Sequence, residues 1–175
     1  MSIHVPVRER AIGLVDFYEG RVRADQVVQL NDRWLEFFQR LGGSYGTWYA
    51  VTFAAGTFTA NGSMTWTVES GDQITLAYTQ MGQRVELAFT IRTSSVGGTL
   101  NTTLRITLPA GLVAARAVTV PCRVNDNGTL GPGWASVTAG GTVLSIVKED
   151  ESNWAAATNT TGVEGILTFE IQGRG

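Results

Sequence analysis

Residues 78–92 read YTQMGQRVELAFTIR, and the second half of that stretch decides how the chain folds. Val85, Leu87, Phe89 and Ile91 fall on one side, and Glu86, Ala88, Thr90 and Arg92 on the other. A two-residue period of this kind belongs to a strand that buries one face. Met81 and Gly82 supply the turn that precedes it. The pattern returns downstream, where Leu104, Ile106 and Leu108 alternate with Arg105 and Thr107, and Leu167, Phe169 and Ile171 alternate with Thr168 and Glu170. One face of each strand is predicted to be core. The other, rich in Thr, Ser, Gln and Arg, is predicted to meet solvent or a polar interface.

Working outward, turn signals at Asn61-Gly62, Ser70-Gly71-Asp72, Gly97-Gly98, Asn127-Gly128 and Gly140-Gly141 cut the remainder into short pieces. They leave candidate strands at residues 47–54, 63–69, 73–80, 84–95, 100–108, 115–124, 134–138, 142–148 and 163–172. With no helical period between them, these strands predict a mainly β body, an antiparallel sandwich of the jelly-roll kind.

The chain divides near Gly42-Gly43. Residues 1–43 carry 12 charges, six of each sign, against 16 in the 132 residues that follow. Residues 1–23 show no sustained period and predict an extended N-terminal arm. Residues 24–43 predict an amphipathic helix: Asn31 is a candidate N-cap, and Gly42 a C-terminal stop. Along it Val27, Leu30, Trp34, Phe37 and Leu41 alternate in steps of three and four, the spacing of a coiled-coil seam. Two heptads leave two readings open, a seam between chains or a helix packed on its own chain. Residues 44–175 form the predicted β head.

Composition narrows the function. A net charge of -2, with no basic block, argues against nucleic acid as a partner. Twelve of the 13 basic residues are Arg, and Lys148 is the only Lys. No run of eighteen apolar residues predicts a membrane span, and the opening MSIHVPVRERAIG lacks the apolar core of a signal peptide. Asn61, Asn101, Asn127 and Asn159 each head an N-x-[ST] triplet and read as turn residues. Cys122 is the only cysteine, so no intrachain disulfide forms. Its alternation with Val118, Val120 and Val124 predicts a buried strand position.

Candidate chemistry is sparse. His4 is the sole histidine and lies in the predicted arm, so no Ser/His/Asp or Cys/His triad can be assembled in the body. Glu149, Asp150 and Glu151 are consecutive, the pattern of a solvated turn more than of two carboxyls facing each other across a sugar. Asn125 to Gly128, NDNG, lacks the later acidic ligand of a calcium loop and reads as a turn. Trp134 and Trp154 lie in or beside predicted loops, where an exposed indole can stack on a glycan or enter an oligomer interface. No catalytic, cofactor or metal site is expected.

YTQMGQRVELAFTI, then LRITLPAG, then SNWAAATNTTGVEGILTFEI resemble the jelly-roll head domains of tailed-bacteriophage fibre and virion-decoration proteins. Tyr78, Gly82, Val85 and Phe89 begin the hairpin in that pattern, Leu108-Pro109 ends a later strand, and residues 166–171 form the terminal strand. GLVDFYEGRV followed by RWLEFFQRL looks like the short anchor of small phage fibres. The resemblance implies a homotrimer in the virion, joined through residues 1–23 to tail, collar or capsid proteins. Its head would face outward, toward a host surface glycan for instance. A short fibre or spike is the first expectation and a capsid decoration (cement) protein the second. A carbohydrate-binding module unconnected with phage is a third, from a different class.

Overall fold

The hairpin at the centre of the opening stretch forms as its alternation requires. In the computed structural model, which describes residues 47–173, β4 (Gln73–Met81) and β5 (Arg84–Gly98) pair antiparallel from Met81↔Arg84 onward. Gly82 turns the chain with φ +62°, so Met81 ends the strand and Gly82 and Gln83 make the two-residue loop. Val85, Leu87, Phe89 and Ile91 are buried, while Glu86, Ala88 and Thr90 are half-exposed and Arg92 is exposed.

Eight further strands join this pair: β1 (Tyr49–Ala50), β2 (Phe58–Ala60), β3 (Met64–Thr67), β6 (Leu104–Thr107), β7 (Val118–Asp126), β8 (Thr129–Val137), β9 (Val143–Lys148) and β10 (Ala157–Glu170). Their neighbours run β1-β4-β5-β10-β7-β8-β9-β6-β2, with β3 beside the far end of β5. Every ladder is antiparallel. The sheet curls around one core that takes in Phe58, Trp66, Phe89, Ile106, Leu144, Trp154 and Leu167. Among the described residues the only helical turn is a short 3-10 segment, Ala55–Thr57.

The bend has a local cause. Between Thr161↔Ser94 and Val163↔Ile91 the β5–β10 ladder slips, and Thr93 takes φ +57°. A bulge of this kind unpairs a residue and sharpens the twist. Asp72 fixes it from the preceding turn, its Oδ1 accepting from Thr93 Oγ1 at 2.7 Å and its Oδ2 from the Glu69 amide at 2.9 Å. Inside the bend Trp66 Nε1 donates to Ser94 Oγ at 2.8 Å, and Ser94 Oγ donates to the Thr161 carbonyl at 2.9 Å. Leaving a buried polar group unpaired is costly, and here the indole and the serine hydroxyl are both paired.

Several expected boundaries move. Only Tyr49 and Ala50 of the expected 47–54 strand pair with β4. Gly97 and Gly98, read as a turn, are the last paired residues of β5, opposite Thr65 and Met64. A Cβ on Gly98 would run into the Ser63 carbonyl, so glycine is kept there for close backbone approach, and φ is +73°. β8 begins at Thr129, five residues before the expected start, because Asn127 and Gly128 (φ +50° and +86°) make a two-residue hairpin turn. β10 begins at Ala157, its TNTTG start being absorbed as bulges. The extended arm at 1–23 and the helix at 24–43, with Val27, Leu30, Trp34, Phe37 and Leu41, lie outside the described residues.

Candidate functional site

The alternation that builds the core also builds the opposite face, and there the cross-strand register sorts side chains into rows. Ala88 pairs with Ala77 and Ile166, and Trp134 pairs with Pro121 on one side and Val147 on the other. Ile166 and Pro121 line one trough where β10 and β7 diverge. The result is an apolar row across the outer face, with Ile166 59% and Trp134 38% exposed.

A polar row runs beside it. Glu164 pairs with Thr90 and with Arg123, and Arg123 pairs with Pro132. Glu164 accepts from two guanidiniums, Arg123 Nη1 to Oε1 at 3.1 Å and Arg92 Nη2 to Oε2 at 3.2 Å. The Arg123 hydrogen bond, and with it the Arg92 bond, holds the Glu164 carboxyl below the usual range against a weaker push from desolvation. On the other flank lie hydroxyl pairs, Thr119↔Ser136 and Ser136↔Ser145.

Across these rows β5, β7, β8 and β10 form a shallow, open trough of about 730 Å³, lined among others by Thr90, Arg92, Arg123, Pro132, Glu164 and Ile166. Pro121 and Pro132 sit in β7 and β8 just beyond the ladders with β10 and β9, where no second neighbour asks for their missing N–H. Gly165 in its floor packs against the core, since a Cβ there would lie 2.9 Å from Phe89 Cζ and 3.1 Å from Cys122 Cβ. Cys122 is buried, and burial pushes its thiol up to about 11, which makes it a poor nucleophile.

The two tryptophans singled out as glycan contacts part company. Trp134 stands on the outer face. Trp154 has no exposed surface, donates its Nε1 to the Thr102 carbonyl at 2.9 Å, and belongs to the core. An indole enclosed in this way cannot meet a sugar, so the surface role read for Trp154 is corrected to core packing. The misreading has a physical source: a large apolar residue in a polar loop can be the plug that fastens the loop. Lys148 completes that fastening, donating to Asp126 Oδ2 at 2.8 Å and to the Asn153 carbonyl at 2.6 Å.

The acidic triplet remains exposed. Asp150 Oδ1 accepts from the Ser152 amide and hydroxyl, which lower its pKa, so it is biased away from acting as a general acid. Asn125 to Gly128 serves as the β7–β8 hairpin end, and Cys122 occupies the buried position its alternation implied. Arg92, Arg123, Glu164 and Ile166 did not stand out in the sequence as site residues, because they are ordinary outward positions of three separate strands. The signal was limited to the outward parity of Arg92. No family model, curated protein or solved structure matches the chain.

Proposed function

We propose that the chain is a non-enzymatic structural subunit of a bacteriophage particle, the jelly-roll-like head of a short fibre or spike. In this reading residues 1–23 join it to other virion proteins, and three copies assemble through the helix at 24–43. The outer face of the sheet is the surface offered to the host.

The exposed row of Ile166, Pro121 and Trp134 carries the contact role. Apolar side chains set side by side on an outward sheet face, rimmed by charged and hydroxyl rows, are a feature of recognition surfaces. The virion setting rests on the resemblance of the three quoted stretches and of the short N-terminal segment to small phage fibres. Purified particles imaged with an antibody against the β body test it. Label at the tail or collar supports the fibre reading, and label spread over the capsid favours a decoration protein. Absence from the particle refutes both. Light scattering of the full chain should give three times 18.8 kDa.

A further inference from the structure

We propose that the trough between β5, β10, β7 and β8 binds an acidic saccharide, with one sugar ring on Ile166 and Pro121 in its lining, against Trp134 paired beside Pro121, and its carboxylate at Arg92 and Arg123. This rests on reading the outer face as the host-contact surface, and it names the chemistry of what that surface holds.

Charge selects the ligand class. Two guanidiniums share one carboxylate, so the trough carries a surplus positive charge, and Glu164 is the sole carboxylate among its lining residues. Each guanidinium has five N–H donors and spends one on Glu164, and the Arg92 and Arg123 side chains stay 60% and 52% exposed. Side chains this exposed leave room for a ligand carboxylate to take further donors in a charge-assisted bond. Glu164 also holds the two arginines together, which reduces the ordering they would otherwise undergo on binding.

Shape selects a ring. The apolar row narrows to one residue at Ile166 and Pro121, whose outward neighbours along β10 and β7, about 6.6 Å away, are Glu164, Thr168, Thr119 and Arg123, and it broadens on β8, where Pro132 and the exposed Leu130 precede Trp134. It suits the C–H face of a single sugar, for which an indole is a favoured platform. Strand residues fix the whole arrangement, so little reorganisation accompanies binding. With one carboxylate, held ionised by two arginines, the trough binds a sugar without the acid and base pair that hydrolysis requires.

The test is a calorimetric titration of the full chain with oligosaccharides containing galacturonate, glucuronate or sialic acid, each set against its methyl ester. At least one free acid should bind at millimolar affinity or better, and at least tenfold more tightly than its ester. Arg123→Gln and Trp134→Ala should each weaken that binding tenfold, with unchanged circular dichroism and unchanged mass by light scattering. Raised salt should weaken the acid and leave the ester unaffected. Equal affinity for acid and ester overturns the proposal, and so does failure of every acid to bind. A change in oligomeric mass in either variant assigns the face to a second copy of the chain and also overturns it. A protein found on the particle that binds no acid would refute this inference alone. One that binds the acid yet is absent from particles would refute the virion reading and leave this one standing.

Discussion

Phe89 and Gly165 face each other across the β5–β10 ladder, and together they test the core more sharply than either does alone. Phe89 is 1% exposed, so Phe89→Ala removes a buried ring and leaves a cavity, at a cost of about 3–5 kcal/mol. Gly165→Ala does the reverse. Its new Cβ would lie 2.9 Å from Phe89 Cζ, 3.3 Å from Phe89 Cε1 and 3.1 Å from Cys122 Cβ, in a site already filled. Overpacking of this kind costs about 1–3 kcal/mol. Reduced freedom of the unfolded chain offsets about 0.4–1 kcal/mol of it. In the double variant the ring is gone and the added methyl fills part of the cavity. The two changes should then couple favourably, within the roughly 0.5–3 kcal/mol seen for touching residues. Urea unfolding followed by the fluorescence of the buried Trp66 and Trp154 measures all four corners of the cycle. Thr90→Ala is the register control, on the outer face one residue along, and should shift stability by no more than about 0.5 kcal/mol. Equal small losses at Phe89 and Thr90, or strictly additive effects of Phe89→Ala and Gly165→Ala, would refute the register and the contact.

Three other outcomes follow from particular groups. Trp66→Phe removes the donor to Ser94 Oγ inside the bend and should cost about 1–2 kcal/mol by urea midpoint; an unchanged midpoint would mean that the bond is not maintained in solution. Glu164 has a folded-state pKa below its ordinary value of 4.5, so its contribution is present above that value and fades as pH falls through the folded pKa. Unfolding midpoints measured down this acid range should show a small fall that Glu164→Gln removes, small because the pair is solvent-screened. Cys122, with its thiol raised to about 11, should react with a disulfide reagent near neutral pH far more slowly in the native protein than in urea; equal rates would contradict its burial.

Much of the fold was legible because alternation is a local property. The faces of β5, β6 and the second half of β10 followed from which residues are apolar, and a one-residue slip in any of them would expose the whole core set. Short or irregular pairing was less legible. β2 has three residues and no turn signal before it, and it pairs because β6 lies alongside. The TLGPG run at the start of β8 fell outside the expected 134–138 strand, yet its proline and two glycines are accepted because part of the strand has a neighbour on one side only. At the site, Trp134 could be picked out as a large residue in a polar setting. The same criterion failed for Trp154, since a residue's neighbours in sequence do not reveal whether the loop folds back over the core.

The sequence by itself determined a mainly β body, the inward and outward residues of its alternating strands, a turn at Asn127-Gly128 and a buried Cys122, since each depends on period or on turn chemistry within a few residues. Only the tertiary structure decided that Arg92, Arg123 and Glu164 meet, that Ile166 and Pro121 share a trough, and that Trp154 is enclosed. Arg92 and Glu164 lie 72 positions apart, and their meeting is set by strand order and by the bulge at Thr93. Strand order is a property of how the whole sheet curls to bury its apolar face, and no local window of residues encodes it.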